Sequence, residues 1–373
     1  MRTRELKRTI LRSLKEQGFR VSGIHLLPPD DLNKEGYRRL HRTAVAHKLE
    51  ASRPALIKYQ DELQEMIASG REVVPERIHP TLVEVKPGSR DELLFRYVTL
   101  HWSIPVSSGY GRRLRFLVVD DFNGKLIGAL GLGDPVFDLR YRDRWIGWTR
   151  EDRRERLHQI MDAFVLGAVP PYSYILCGKL VAMLVGSNQV REAFHEKYSG
   201  RTSRIRKRPL ASQLVAITTT SALGRSSIYN RLRFRGRNVF QSVGYTQGSG
   251  EFHFANGLYT ALSDFAARHC DATAKHSLWG NGFRNRREIV KKSLPRLGLP
   301  SEWVYHGVQR EIFIVPIAEN AKQVLRGEET QPVWFDQSSD DLSQWCKERW
   351  IVPRAHWDQR YQEFDPDSYR LWS

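Results

Sequence analysis

Cysteine is scarce in this chain. Only Cys177, Cys270 and Cys346 occur in 373 residues, and no two of them form a C-x-x-C pair. That excludes a disulfide framework and a cysteine-based zinc site, and it fits a reduced, cytoplasmic setting. His269, Cys270 and His276 lie close together but match no standard zinc spacing, so no metal is expected. Long apolar runs are missing too. No stretch approaches the ~18 apolar residues that a membrane span needs. The basic start, "MRTRELKRTILRSLKEQGF", lacks the apolar centre of a signal peptide. A soluble protein without a membrane partner is expected. Neither an internal repeat nor a low-complexity segment is present.

The most informative absence is of acid. Residues 197–250 contain eleven Lys and Arg and not one Asp or Glu, in a chain whose net charge is +17. Residues 301–373 instead carry 8 basic and 13 acidic residues. A solvated face normally mixes signs, so a long one-sign segment rich in arginine points to a polyanion. Nucleic acid is the leading partner, with an acidic protein or an anionic membrane surface as the other candidates. The residues expected to meet DNA are Arg201, Arg204, Arg206, Lys207, Arg208, Arg225, Arg231, Arg233, Arg235 and Arg237.

Within that segment, "YNRLRFRGR" alternates four arginines with Leu232, Phe234 and Gly236. On an extended chain this spacing puts all four guanidinium groups on one face. A charged edge strand that resists aggregation is the plainer alternative. If a short helix precedes the stretch, Arg231 and Arg233 end it while Arg235 and Arg237 begin the extended part. Arginine binds phosphate bidentately and stacks on bases, which suits a nucleic acid. Tyr229, Phe234, Phe240 and Tyr245 are interleaved and could stack unpaired bases, with Phe234 and Phe240 the better fit to a core.

Along the chain, residues 1–95 form a helical N-terminal region, with Leu6, Ile10, Leu11 and Leu14 at helical spacing and a kink at Pro54. Residues 96–270 make an α/β core. It opens with "RLRFLVVDD" and "KLIGALGLGDP", two strands joined through Asn123-Gly124, a strong hairpin signal. Thr149 and Asp152 resemble a capping box, and Leu157, Ile160, Met161 and Phe164 give an apolar helix stripe. "AFVLGAV" then reads as a buried strand ended by Pro170-Pro171. A helix from about Gly178 to Tyr198 follows, then the strand "QLVAITTTSALG" and a strand pair in "VFQSVGYTQGSGEFHF". Alternating strands and helices argue for a mixed α/β sheet. Residues 271–373 form a C-terminal extension packed on the core, because Trp345, Trp350, Trp357 and Trp372 are too apolar to leave in water.

Two resemblances emerge. "FLVVDDFNGKLIGALGL", "AFVLGAV" with its following helix, and "SSIYNRLRF…VFQSVGYTQGSG" resemble the GNAT acyltransferase fold over roughly residues 110–260. The implied fold class is α/β, a GNAT-like mixed sheet flanked by helices with N- and C-terminal extensions. The second resemblance is sharper. "RDRWIGWTREDRRERLHQIMDAFVLGAVPPYSYILCGKLVAML", "GEFHFANGLY", "GVQREIFIVPIAENAKQVL" and "WCKERWIVPRAHWDQRYQEF" are similar to the DruA family of the Druantia anti-phage system, over roughly residues 95–360. That resemblance implies a role in defence against phage beside other subunits, including a large helicase-like protein. It implies no chemistry.

Acyl-CoA enzymes of the GNAT fold cradle the pyrophosphate on a glycine-rich loop at a helix N-terminus. Only Gly178 stands at the equivalent place, behind Tyr174, Ile175 and Leu176. Acyl-CoA binding and acyltransferase activity are therefore doubtful, and no cofactor is expected. Tyr229 matches the position from which such enzymes protonate a leaving thiolate, or it packs the last helix. His158 is a hydrogen-bonded structural histidine or a general base. Glu251 and His253 alternate on one face of the presumed last strand and form a catalytic candidate pair. Asp120 and Asp121 suit a turn. Asp134, Asp138 and Asp143 could gather around a metal, although no D…(D/E)xK pattern accompanies them. The expected function is a DNA-binding component of an anti-phage system that recognises phage or unusual DNA structures. A DNA-modifying transferase or nuclease using the GNAT-like pocket, and a transposon-associated DNA-binding protein, are the alternatives.

Overall fold

The hairpin that joins residues 113–120 to 125–133 closes through Asn123 and Gly124. Gly124 takes the left-handed conformation (φ +71°), and its amide donates to the Asp120 carbonyl at 2.8 Å. The computed structural model describes residues 3–106, 111–202, 212–255, 257–273, 282 and 285–373. In chain order, α1 (Thr3–Glu16), the small hairpin β1 (Arg20–Ser22) and β2 (His25–Leu27), α2 (Lys34–Leu56) and α3 (Gln60–Gln64) lead to β3 (Pro80–Glu84) and α4 (Arg90–Thr99). The centre comprises β4 (Arg113–Asp120), β5 (Lys125–Gly133), α5 (Arg140–Ile146), α6 (Arg150–Arg156), β6 (Ile160–Ala168), α7 (Cys177–Leu184), α8 (Asn188–Tyr198) and β7 (Ala216–Thr220). Then come β8 (Arg233–Phe234), β9 (Arg237–Asn238), β10 (Gln241–Tyr245), α9 (Leu258–His269), α10 (Arg286–Arg296), β11 (Glu311–Pro316), α11 (Ala321–Arg326), α12 (Ser339–Cys346) and α13 (Val352–Trp357).

Seven strands form one mixed sheet in the order β10-β11-β7-β6-β5-β4-β3. Every neighbouring pair is antiparallel except β6 and β7, which run parallel. That parallel pairing covers only Ile160–Asp162 against Ala216–Thr218, after which the two strands part and the sheet forks. A bulge in the β5–β6 pairing lies beside the fork, between Gly131 and Leu132. Extra residues of this kind bend a strand and raise its twist, which turns β6 away from β7. The bulge also re-aims side chains: Met161 and Ala163 face one core, while Val165 faces the other.

On one side of the sheet, α7, α8 and α12 bury Leu180, Val181, Phe194 and Leu342 against Phe116, Leu130 and Phe313. On the other, α3 and α4 pack with the chain's end, where Trp372 is buried and its carbonyl accepts from Gln60 Nε2 at 2.6 Å. A separate apolar cluster joins Leu6, Ile10 and Leu14 of α1 to α9 and α10, some 250 residues later. Leu11 of the predicted stripe points to solvent instead.

Several local expectations need correction. The apolar stripe through Phe164 is not helical. Helix α6 stops at Arg156, its capping box intact, and Ile160 opens a strand that β5 and β7 claim from both sides. Short apolar runs fit either period, and sheet pairing decides here. The helix expected over 178–198 is two helices, because Gly186 and Ser187 interrupt it and Ser187 caps α8 by accepting from the Val190 amide. "VFQSVGYTQGSGEFHF" supplies only β10. Its partner is β11, some 70 residues later. The strands of the sheet come from residues 80 to 316, a wider span than 96–270.

Candidate nucleic-acid interface and the cleft at the sheet fork

The four alternating arginines do not share a face, because the chain reverses between them. Arg235 (φ +48°) and Gly236 (φ +81°) are the two left-handed residues of a tight turn joining β8 to β9. Phe234 pairs with Arg237 across this hairpin, and Phe234 is buried edge-on to Trp345. Arg237 follows its neighbour inward. Its guanidinium lies 3.5 Å from the centre of the Phe335 ring, and Nη2 donates to Gln337 Oε1 at 2.8 Å. Nη1 is buried without a hydrogen-bond partner among the described residues, and burial pulls the guanidinium pKa down. Arg235 is exposed but sits 3.4 Å from Asp341. Neither was expected to be occupied by the protein itself.

Arg231 and Arg233 remain exposed, and Arg233 Nε donates to Asn238 Oδ1 at 2.9 Å. Two cations that sequence spacing does not connect to them lie alongside. Lys179, at the start of α7, has its pKa lowered first by burial and then by the nearby charges of Arg231 and Arg349. Its ammonium stands 4.6 Å from the Trp350 ring, while Arg349 lies 5.7 Å from Trp345, whose Nε1 donates to the Arg233 carbonyl at 2.9 Å. Arg231, Arg233, Lys179 and Arg349 thus surround two partly buried tryptophans. Among the described residues, none of the four is within ion-pair distance of a carboxylate. The helical turn that carries Arg349 and Trp350 belongs to the acidic C-terminal region, where a search for one-sign runs passes over it. Arg201 is exposed 5.2 Å from the Tyr198 ring, and Arg225 is exposed. Arg204, Arg206, Lys207 and Arg208 lie outside the described residues.

The catalytic candidates are dispersed. Glu251 and His253 are not on a strand: Glu251 precedes, and His253 lies within, a helical turn at Phe252–Phe254 beside the α1–α9–α10 cluster. His253 is fully buried, with Nε2 2.8 Å from the Trp303 carbonyl, and burial pushes its pKa down to about 3, so it is a neutral core histidine. Glu251 faces Arg286 at 3.9 Å. His158 lies in the turn before β6, where its carbonyl accepts from Arg112 Nη1 at 2.6 Å. The aspartates are neutralised by arginines. Asp134 holds Arg112 at 2.6 Å, Asp143 holds Arg142 at 2.6 Å and Arg153 at 2.5 Å, and Arg153 also lies 3.3 Å from Asp138. Asp120 is buried and accepts from the Tyr172 hydroxyl at 2.8 Å. Gly178 sits in the first turn of α7 with open space beside it. Two amides at that turn are already used, Cys177 N by the Tyr172 carbonyl and Lys179 N by that of Leu176.

Tyr229 and Asp134 both reach one cavity. Where β6 and β7 part, a cleft of about 470 Å³ opens through the sheet, lined by Trp102, Asp162, Phe164, Thr220, Tyr229 and Arg310 among others. The Tyr229 ring is stacked on Phe240 (centroids 4.5 Å apart) and meets Phe313 edge-on, and burial raises its pKa to about 12. Asp162 accepts from Thr218 Oγ1 at 2.7 Å. Its pKa is pushed up to about 6, chiefly by burial, against the pull of Thr218, Arg142 and Arg310.

The chain matches the family model described as Druantia protein DruA over residues 31–327. It is 39% identical over 373 residues to Druantia protein DruA of Escherichia coli (strain UMEA 4076-1), an alignment that covers 100% of this chain and 90% of that protein. No solved structure matches. On the breadth of the first match and the identity of the second, this chain belongs to the DruA family.

Proposed function

We propose that this chain is a DNA-binding component of a prokaryotic anti-phage system of the Druantia type. It works in the cytoplasm with other subunits, a helicase-like protein among them, and recognises phage or unusual DNA structures. The observation that carries the reading is the group formed by Arg231, Arg233, Lys179 and Arg349 around Trp345 and Trp350. Cations without carboxylate partners suit phosphates, and the indole rings between them offer faces for unpaired bases. The same acid-free run of sequence also contains Arg204, Arg206, Lys207 and Arg208. Family membership supports the defence setting.

The GNAT-like reading of the core rests on a sheet that holds the β4–β5 hairpin, β6 leading into α7, and Tyr229 after β7 in the order that the resemblance implies. A transferase reading draws on Tyr229 at the cleft. The occupied amides at the start of α7 weigh against acyl-CoA as its donor, and the arginine partners of Asp134, Asp138 and Asp143 weigh against a metal nuclease. The test is fluorescence-anisotropy titration of single-stranded, duplex and forked DNA with the full-length protein. Changing Lys179, Arg231, Arg233 and Arg349 together to Ala should weaken binding to every sequence alike, by at least about tenfold. A folded variant with wild-type affinity would redirect the patch to an acidic protein partner.

A further inference from the structure

The fork cleft holds polar groups that the protein leaves incompletely used. Among the described residues Asp162 receives one hydrogen bond, from Thr218, although a carboxylate can accept about four. The guanidinium of Arg310 donates no hydrogen bond within the described structure, and its anchoring contact is made by its backbone amide, which donates to Thr246 Oγ1 at 3.0 Å. Its charge acts on Asp162 across the cleft. Burial lowers the pKa of Arg310, so the site holds a partly desolvated cation. The two groups come from different strands. Asp162 ends the parallel pairing of β6 with β7, and Arg310 immediately precedes β11. Register carries them to one face: Asp162 is opposite Thr218, Thr220 is opposite Ile312, and side chains two residues apart share a face. Phe164, two residues past Asp162, and Trp102 supply flat apolar walls.

We propose that this cleft receives a single unstacked guanine base from bound DNA, with Asp162 reading the base's paired donors and Arg310 its acceptors. This rests on the DNA-binding reading above. The chemistry selects the base. An ionised carboxylate accepts two parallel N–H bonds, and guanine offers N1–H beside N2–H on one edge. A guanidinium fork donates in pairs, and guanine presents O6 beside N7. Adenine and cytosine each carry a single amino donor beside a ring-nitrogen acceptor, and thymine has one N–H, so each leaves a buried charge less satisfied. A cleft of about 470 Å³ is in the range that binds small ligands, and ring walls compensate for the stacking lost when a base leaves its helix.

The experiment uses nucleosides, which lack the phosphate that the arginine patch would attract. Saturation-transfer NMR on the full-length protein, titrated with 2′-deoxyguanosine, should give saturable binding at least fivefold tighter than deoxyadenosine, deoxycytidine or thymidine. Asp162→Asn keeps the shape but replaces one acceptor by a donor, and it should weaken deoxyguanosine by about tenfold or more. The Arg231→Ala/Arg233→Ala variant should bind deoxyguanosine as the wild type does, whatever happens to its DNA affinity. Equal affinity for the four nucleosides, or no saturation with the wild-type protein, overturns the proposal even if the asparagine variant fails to fold. Wild-type DNA affinity and salt dependence in the Arg231→Ala/Arg233→Ala variant, with guanine selectivity intact, would instead count against the surface reading alone.

Discussion

Arg237 separates a structural arginine from a DNA-binding one more cleanly than any other position. Substituting Ala removes the stacked contact over Phe335 and the hydrogen bond to Gln337. A cation over an aromatic ring contributes about 0.5–2 kcal/mol, and a hydrogen bond from a charged group about 1.5–3 kcal/mol. Against that, truncation relieves a buried Nη1 that lacks a partner, which offsets about 1–3 kcal/mol. The net expectation is a loss of about 1–2 kcal/mol, close to the centre of ordinary single-residue effects. Urea denaturation read by tryptophan fluorescence should show the midpoint falling with an unchanged slope. Affinity for DNA per folded molecule should stay at the wild-type value. Arg237→Lys should rescue little, because an ammonium cannot lie flat on the ring and reach Gln337 together. A variant with wild-type stability and lost DNA binding would refute the inward assignment and return Arg237 to the DNA-facing set.

Two further predictions follow from burial. His41 and His101 have pKa values pushed down to about 4, and His253 to about 3, all chiefly by burial. A depressed histidine binds fewer protons folded than unfolded, so its contribution is present above about pH 6.5 and is lost as pH falls toward the folded pKa, at up to about 1.4 kcal/mol per pH unit each. The melting temperature should drop steeply between pH 6.5 and 4.5. His101→Phe, which keeps the stack on Tyr369 (centroids 3.6 Å apart) and removes an Nε2 without a hydrogen-bond partner among the described residues, should make that drop shallower. An unchanged slope contradicts the assignment of His101. Because two amides at the start of α7 are already bonded, acetyl-CoA and longer acyl-CoAs should give no saturable thermal shift. A shift of several degrees that is lost in Gly178→Leu would revive the transferase reading.

Signals carried by adjacent residues were legible in the sequence. Asn123-Gly124 produced its hairpin and Thr149 with Asp152 its cap, because each motif is satisfied within a few residues. The register of β10 was not legible, since its partner β11 lies some 70 residues later and no local pattern encodes that pairing. The arginine run misled for a related reason. Alternation fixes a face only while the chain stays extended, and a Gly236 with positive φ allowed a turn in its midst. Of the candidate site, the exposed pair Arg231 and Arg233 was visible as charge. Lys179 and Arg349 join them only through tertiary packing. Tyr229 follows β7 and lines the fork cleft, whereas Asp162 gave no signal, being one acid inside an apolar strand that faces a fork no sequence pattern announces.

The central claim, that phosphates meet Arg231, Arg233, Lys179 and Arg349, is tested most directly by the salt dependence of duplex affinity. Four neutralised phosphates give a log–log slope of about −3.6, so affinity should fall about 150-fold between 50 and 200 mM salt. Removing two contacts in Arg231→Ala/Arg233→Ala should reduce the slope to about −1.8 and the fall to about 12-fold, for every sequence alike. Arg4→Ala/Arg8→Ala, which removes equal charge from a mixed-sign helix, should leave the slope near the wild-type value. A folded Arg231→Ala/Arg233→Ala variant with the wild-type slope would contradict the account.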